Sequence, residues 1–337
     1  MTALESRYRR VLRLLPAAYR AEREEEMVSA FLDGAGPADD DARPRWPEIA
    51  SVAALALRIR LGGTGSTPRS RAWGRTVRLT ALIGLAFQAA MSCVYLAQTL
   101  AVYGVLPLPY PTGELPLGEP ASAERLWHLT RDLSSALWIV AYVALVRGRP
   151  GIAKATSVLG LVVYALSWTD ALLLVIPTLA LLTGYHRDVP AHRHRRRLAA
   201  LPLAAGAALF LIMTTATWAM TTSHRSPQWP GTWVWAWSWL PPSGLFCLAL
   251  LVACAGYVVT HLTAPSRRSP SVPLALAILT VPVILSRLSS LNPAADQVTE
   301  TLNAVTVAQA VALVVSGVIL AVIGARTLPA TVREAAE

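Results

Sequence analysis

Four of the ionisable residues within or at the ends of the apolar segments of this 337-residue chain are the first candidates for chemistry. They are Arg131, Asp132, Asp170 and Arg287. A charged side chain in hydrocarbon is costly, so such residues pair with one another, line a polar path or bind a ligand. Pairing Arg131 with Asp170, or Asp132 with Arg287, would lower that cost. The pattern favours a structural ion-pair cluster near the outer side of the membrane, with a ligand or ion site as the alternative.

Motifs for catalysis are missing from the sequence. It contains neither an HExxH nor a GxSxG motif, the usual signatures of zinc proteases and serine hydrolases. His192 and His194 lie among arginines in AHRHRRR, residues 191–197, and neighbouring positive charges disfavour a metal cation. We therefore predict that the protein is not an enzyme and that it binds no cofactor or metal ion.

The segment WPGTWVWAWSWLPP, residues 229–242, is unusually rich in tryptophan. Its five tryptophans are Trp229, Trp233, Trp235, Trp237 and Trp239. The last four alternate strictly, which would place them on one face of a strand. Because Trp prefers the boundary between hydrocarbon and lipid headgroups, the segment is predicted to form an interfacial aromatic belt. A cage for a carbohydrate, a lipid or a quaternary amine is the alternative.

The elements that position these residues are apolar segments of membrane-spanning length. With 54% hydrophobic and 15% charged residues, the composition is typical of a multi-span membrane protein and not of a soluble domain. About 20 helical residues cross the roughly 30 Å hydrocarbon core of a bilayer. We predict an all-α polytopic bundle of about eight transmembrane helices, at residues 77–100, 128–146, 152–168, 170–184, 198–220, 243–263, 272–290 and 302–324.

Residues 152–184 decide how the chain is threaded, because they form one apolar stretch interrupted only at 168–170. We predict a hairpin of two short spans; one long span and a re-entrant pair are the alternatives. The hairpin places four basic segments on the side of the N-terminus: residues 147–154, 187–197, 267–268 and the tail 325–337. Since arginine-rich loops stay in the cytoplasm, we predict a multi-pass plasma-membrane protein with both termini cytoplasmic.

The formal net charge of +10 is better explained by membrane orientation than by nucleic-acid binding. Residues 1–61 carry ten arginines and ten acidic residues, so the whole basic excess lies between and beside the apolar segments. Positive charge in that position fixes orientation against an anionic membrane face. Membrane lipids are therefore expected partners, and no nucleic-acid partner is expected.

Amphipathic helices are predicted within residues 1–61, ahead of the first span. The first helix has Tyr8 and Leu12 on one apolar face. It is predicted to end before Pro16, because proline disrupts a helix interior. A second helix follows, and a third opens at Pro47, a favourable first-turn residue. These helices predict a small cytoplasmic three-helix domain.

A glycine-, serine- and arginine-rich segment, residues 62–76, is predicted to be a flexible basic linker that joins this domain to the transmembrane region 77–324. A domain of about sixty residues buries little apolar surface, so we expect it to be stabilised by contact with a protein partner, the membrane or the cytoplasmic loops. It is either a leader that sets topology or a protein-docking module.

The first two helices carry a recognisable pattern: Leu14-Leu15-Pro16, Tyr19-Arg20, Arg23 and Glu25-Glu26-Met27. This pattern resembles the LLPxxYRxxxxEEM hairpin that precedes the membrane region in actinobacterial multi-pass proteins. It is also similar to the helical prefix domain of some ABC-transporter permeases and to HAAS-type signalling domains encoded beside PadR-like repressors. The resemblance implies that Tyr19, Arg20 and Glu26 fix the hairpin and present a docking face. The sequence has no phosphate-binding loop of its own, so an ABC role would need a separate ATPase subunit.

Two functions follow from these features. The first is a non-enzymatic integral membrane protein, a sensor or regulatory component that docks a cytoplasmic protein through its N-terminal helices. The alternative is a permease-like transporter or an ABC-transporter membrane subunit, with a path lined by Arg131, Asp132, Asp170 and Arg287.

Overall fold

The structure, a computed structural model, describes residues 3–35, 44–102, 122–164, 168–186, 196–222, 238–263, 269–293 and 296–329. These ranges contain helices and their connections and no strand, which confirms the all-α fold class. In chain order the helices are α1 (Ala3–Leu12), α2 (Ala17–Ala35), α3 (Trp46–Arg60), α4 (Pro68–Val102), α5 (Ala123–Ser134), α6 (Ala136–Val146), α7 (Pro150–Tyr164), α8 (Trp168–Gly184), α9 (Arg196–Thr222), α10 (Pro242–Thr263), α11 (Ser271–Ser289) and α12 (Gln297–Arg326).

Several helical segments have the length and apolarity that a membrane span requires. Among the described residues there are five: Pro68–Ala101, Arg125–Val146, Pro242–Thr263, Ser271–Ser289 and Gln297–Arg326. Each coincides with a predicted span, which supports an integral membrane protein. The other three predicted spans coincide with shorter apolar helices, Pro150–Tyr164, Ala171–Gly184 and Ala200–Thr215. The count of eight spans therefore stays a prediction.

The chain divides into two compact units. The N-terminal unit comprises Met1–Val77, Thr183–Val189 and Leu328–Glu337, and the membrane unit comprises Arg78–Leu182 and Pro190–Thr327. The first division falls between Val77 and Arg78, next to the predicted start of the transmembrane region at residue 77.

A core of its own holds the N-terminal unit together. This core consists of Tyr8, Leu12, Leu15, Val28, Val52, Ala56 and Ile59. The Tyr8 ring stacks on Phe31 of α2 with ring centroids 3.9 Å apart. Arg60 at the end of α3 donates from Nη2 to the carbonyl oxygen of Leu14 at 2.9 Å, so the end of α3 is tied to the turn that follows α1.

Local hydrogen bonds explain where two of the helices begin. The backbone N–H of Arg45 donates to Glu48 Oε2 at 2.7 Å and opens α3. The backbone N–H of Thr299 donates to Asp296 Oδ1 at 2.8 Å and opens α12. Hydrogen bonds from Thr299 also hold the pKa of Asp296 below its ordinary value, as expected for a carboxylate that caps a helix N-terminus.

The predicted flexible linker over residues 62–76 is partly helical, because α4 already begins at Pro68. The backbone N–H of Ser70 donates to Thr67 Oγ1 at 3.2 Å, so Thr67 and Pro68 form a standard helix start. Gly74 lies so close to the end of α3 that a Cβ atom on it would be 2.6 Å from the carbonyl carbon of Leu61. The composition suggested a tether, but a helix cap and a close backbone contact order this segment.

Arg9 joins α1 to α2 through a set of charged contacts. Its Nη1 and Nη2 atoms donate to the two carboxylate oxygens of Glu25 at 2.7 and 2.8 Å, and its Nε donates to Glu5 at 3.1 Å. The hydrogen bonds from Arg9 lower the pKa of Glu25. A lowered carboxylate pKa means that protonating Glu25 weakens the folded arrangement.

Acid should therefore loosen the contact between α1 and α2. The contribution of this pair is present above the unfolded-state pKa of glutamate, about 4.3, and is lost as the pH falls further and Glu25 is protonated. We expect faster hydrogen exchange of the α1 amides in the full-length protein below about pH 4 than at pH 7, after correction for intrinsic rates. Arg9→Gln should exchange faster at pH 7 and show a smaller acid response.

Arg13→Gln is the matched control for this experiment, because the exposed Arg13 has no ion pair within the described ranges. It should keep the acid response of the unmodified protein. An equal response in Arg9→Gln and in the unmodified protein would show that other groups cause the loosening.

Helices α7 and α8 are antiparallel neighbours in the membrane unit. Lys154, in the first turns of α7, donates from Nζ to the carbonyl oxygen of Leu182, near the end of α8, at 3.0 Å. In a single straight helix these residues would be about 42 Å apart at 1.5 Å per residue. One long span over residues 152–184 is therefore excluded. The observed antiparallel arrangement of α7 and α8 agrees with the predicted hairpin.

One apolar core of the membrane unit is formed mainly by the last three helices, together with a residue of α8. Its buried residues are Leu173, Phe246, Cys247, Leu250, Cys254, Leu276, Leu279, Val283, Leu313 and Leu320. Glycines bring α11 and α12 together: a Cβ atom on Gly324 would lie 2.6 Å from Leu274 Cγ. Small residues at such positions allow close helix packing in lipid, where apolar burial alone gives little driving force.

Gly84 provides a test of the packing between α4 and α8. A Cβ atom on Gly84 would lie 2.6 Å from Cβ of Pro177, and a proline ring cannot turn aside. We expect Gly84→Ala to lower stability by about 1–3 kcal/mol, although alanine is intrinsically a better helix former than glycine. Thermal unfolding in detergent measures the effect.

Gly256→Ala in α10 is the matched control, since a Cβ atom there meets nothing within 4 Å. It should leave the unfolding temperature unchanged or raise it slightly. If both variants unfolded at the same temperature, the close approach of α4 and α8 would be contradicted.

Candidate functional site

The most deeply buried charged side chain described in the membrane unit is Arg287. It lies in the last turn of α11, and only 2% of its surface is exposed. The carbonyl groups at the end of a helix carry partial negative charge, which favours a cation there. That effect is worth about 0.3–1 kcal/mol in most settings, far less than the several kcal/mol that burying a charge costs.

Side-chain oxygen atoms from other elements surround the Arg287 guanidinium group. Nη1 donates to Ser243 Oγ at 3.3 Å, and Nη2 donates to Thr306 Oγ1 at 3.0 Å and to Gln309 Oε1. Gln309 is held in turn, because its Nε2 donates to Ser238 Oγ at 3.2 Å. These five residues are called the Arg287 cluster below.

Helix geometry explains how the Arg287 cluster is assembled. Thr306 and Gln309 are three residues apart on α12 and therefore share one helix face. Ser243 lies in the first turn of α10, and Ser238 lies in the turn before it. The sequence predicted Arg287 as a site residue but missed these partners. Two polar residues at helical spacing within the apolar segment 302–324 are the signal that points to Thr306 and Gln309.

The Arg287 cluster contains no carboxylate. The predicted pairing of Asp132 with Arg287 is not formed, since the described partners of Arg287 are hydroxyl and amide oxygens. The Nε–H of Arg287 is buried and has no hydrogen-bond acceptor among the described residues. The cluster is therefore a buried positive charge that is held by neutral groups and whose Nε–H has no acceptor among the described residues.

Arg131 and Asp132 lie elsewhere, on α5. Asp132 Oδ2 accepts a hydrogen bond from Thr99 Oγ1 at 3.1 Å, and Asp132 Oδ1 lies 3.9 Å from Arg131 Nε. On another side of the same helix, Leu126 and Leu133 are exposed. Helix α5 thus offers an apolar face suited to lipid, while Asp132 finds its partner on α4. The side chain of Asp170 lies outside the described residues, and so does its predicted pairing with Arg131.

A small cavity lies among the helices of the membrane unit. Its volume is about 20 Å³, which is room for about one water molecule. Its lining residues are Gln88, Ser92, Tyr95, Trp138, Tyr164, Leu173, Leu174 and Pro242. Neither Arg131 nor Asp132 lines it, so this cavity offers no path to that pair. Within the described ranges, no three His, Cys, Asp or Glu side chains gather into a metal site.

The three residues of the predicted docking hairpin differ in exposure. Tyr19 packs against the core of the N-terminal unit and approaches Gly65, whose added Cβ atom would lie 3.5 Å from the Tyr19 ring. Arg20 is half-buried, with Nη1 3.9 Å from Glu24. Glu26 is exposed. Tyr19 is thus placed to hold the fold, whereas Glu26 lies on the surface.

A groove opens between α1 and α3 in the N-terminal unit, and the sequence analysis did not predict it. Its volume is about 360 Å³, and it is lined by Arg7, Arg10, Val11, Pro44, Trp46 and Ile49. Trp46 is 82% exposed, although the unit has an aromatic core of its own. Exposed aromatic residues beside arginines are typical of protein-binding surfaces.

Of the predicted aromatic belt, the structure describes only Trp239. Trp239 is partly buried and packs against the apolar core of the last three helices. Trp229, Trp233, Trp235 and Trp237 lie outside the described residues, so the predicted strand-like alternation of Trp233 to Trp239 is described only at its last position.

Gln309 tests how much the Arg287 cluster depends on a single neutral partner. Gln309→Met keeps the size of the side chain but removes its hydrogen bond to the guanidinium group. Because hydrogen bonds to charged groups contribute about 1.5–3 kcal/mol, thermal unfolding in detergent should show a loss of that size. Gln297→Met is the matched control at an exposed position of α12 and should change stability by less than about 0.5 kcal/mol. Equal losses would contradict the role assigned to Gln309.

Comparisons with known proteins leave the function to be argued from these residues. No protein-family model, no curated protein and no solved structure matches this chain. The resemblance of the N-terminal hairpin to HAAS-type and ABC-permease prefix domains therefore stays a prediction that rests on its sequence pattern.

Proposed function

We propose that this chain is a non-enzymatic plasma-membrane protein, a sensor or regulatory component that docks a cytoplasmic protein through its N-terminal unit. The observation that carries the proposal is the groove between α1 and α3, with Trp46 82% exposed beside Arg7 and Arg10. The occupant that fits is an acidic segment of a cytoplasmic protein. Its carboxylates would meet Arg10, and its apolar side chains would cover Trp46.

The packing of the N-terminal unit supports a docking role for this groove. Tyr8 and Leu12 of α1 pack into the core together with Val52 and Ile59 of α3, so the two walls of the groove are fixed by buried contacts. A groove with fixed walls loses little conformational entropy on binding, which favours affinity. An aromatic side chain left outside such a core contributes little to folding and is available to a partner.

The proposed cytoplasmic location rests on the distribution of arginines. The N-terminal unit includes Thr183–Val189, and His186 Nε2 lies 3.3 Å from the carbonyl oxygen of Arg58. The segment that follows α8 therefore belongs with the N-terminal helices. This segment leads into the arginine-rich residues 187–197, which favour the cytoplasmic face. Both observations support an N-terminal unit on the inner side of the membrane.

A permease-like transporter is the second candidate, and one observation favours it. Arg287 is a buried cation held by neutral groups in the membrane unit, and intramembrane charges often mark substrate paths. Against it, Asp132 is hydrogen-bonded to Thr99, and the small cavity holds about one water molecule and does not reach Arg131 or Asp132. The regulatory function is therefore preferred.

Site-specific photo-crosslinking in native cells tests the docking proposal. A photoreactive phenylalanine analogue at Trp46 of the full-length protein should yield a discrete adduct with one cytoplasmic protein, and that protein should have an acidic segment. The same probe at Glu22, which is exposed on α2, should not yield this adduct. With the partner identified, Arg10→Glu and Trp46→Ala should each weaken binding at least about tenfold, a loss typical of interface hot spots.

If the probe at Trp46 formed adducts with lipid alone, the groove would bind the membrane surface and not a cytoplasmic protein. A partner that binds Trp46→Ala and Arg10→Glu as tightly as the unmodified protein would contradict the assignment to this groove.

A further inference from the structure

We infer that the Arg287 cluster binds a small monovalent anion of the halide type. The binding groups are the Arg287 guanidinium and the hydroxyl groups of Ser243 and Thr306. This inference concerns the membrane unit and is independent of the docking function proposed for the N-terminal unit.

Charge balance is the first reason. Arg287 is 2% exposed, and no Asp or Glu among the described residues lies within ion-pair distance of it. Neutral acceptors leave the net charge in place, and an uncompensated buried charge costs several kcal/mol. One bound monovalent anion would remove that cost, whereas a cation would add to it.

The supply of hydrogen-bond donors is the second reason. Arg287 Nε–H is buried without an acceptor among the described residues. Ser243 Oγ and Thr306 Oγ1 accept from Arg287, and each hydroxyl group also carries a proton that it can donate. Neither of these protons is used in a hydrogen bond within the described parts of the chain. Unused donors beside one positive charge form a suitable set for an anion.

Burial sets the size of the anion. The side chains of Arg287, Ser243, Thr306 and Gln309 are all buried, so a phospholipid headgroup would need an opening that these residues close. A halide ion is spherical, carries one charge and accepts hydrogen bonds from any direction. It therefore suits a closed site built from a guanidinium group and two hydroxyl groups.

Thermal unfolding of the purified full-length protein in detergent tests this inference. Sodium chloride is compared with sodium gluconate at fixed ionic strength, so that general salt effects cancel. We expect chloride and bromide to raise the unfolding temperature in a saturable way, because an anion that binds only the folded state stabilises it. In Arg287→Gln the difference between chloride and gluconate should disappear.

Two further variants keep the test decisive if Arg287→Gln does not fold. Thr306→Val and Ser243→Ala each remove one donor and keep the positive charge. Each should raise the half-saturating chloride concentration about tenfold, which corresponds to the loss of one hydrogen bond to a charged group. Arg131→Gln changes an arginine outside the cluster and should leave the chloride response unchanged.

Three results would overturn the inference. The first is an unmodified protein that unfolds at the same temperature in chloride and in gluconate. The second is a chloride response that persists unchanged in Arg287→Gln or in both hydroxyl variants. The third is stabilisation by anionic phospholipid in gluconate buffer without any response to chloride, which would assign the charge of Arg287 to a lipid headgroup.

Discussion

Polar groups that leave water must find partners inside the protein, and this requirement organises the membrane unit. Lys154 illustrates it simply: its ammonium group donates to the carbonyl oxygen of Leu182, one of the terminal carbonyls that α8 cannot satisfy by itself. Asp132 finds Thr99 on a neighbouring helix. Arg287 draws on α10 and α12 at once, and its contacts help to fix where these helices meet.

The N-terminal unit is stabilised differently, because water can form hydrogen bonds with the polar groups on its surface. Its stability comes from a compact aromatic and aliphatic core and from charged contacts such as those of Arg9 with α2. Trp46 takes no part in that core and is largely exposed. Tyr8 and Phe31 stack within the unit, whereas the exposure of Trp46 is the observation on which the proposed docking function rests.

Hydropathy predicts much of this fold, because a helix that satisfies its own backbone is the simplest way to cross lipid. The five long apolar helices follow from it, whereas the pairing of α7 with α8 was predicted from the placement of the arginines. Other features depend on chain folding that no local pattern encodes. The partners of Arg287 come from α10 and α12, 19 to 44 residues away in sequence, and charge alone suggested Asp132 instead. The start of α4 at Pro68 was hidden by a glycine-rich composition, although Thr67 and Pro68 carry the start signal. The groove between α1 and α3 forms only when these two helices pack together, so the sequence pattern of either helix alone does not predict it.

The shortness of α7 and α8 has a consequence for the surrounding lipid. With 15 and 17 residues, they are about 22 and 26 Å long, several Å less than the thickness of an average hydrocarbon core. Hydrophobic mismatch of this kind is relieved when the bilayer thins locally or when basic side chains such as Lys154 extend toward the headgroups. Thinner membranes or shorter acyl chains would therefore accommodate this hairpin at lower cost, and lipid composition becomes a factor in where the protein is most stable.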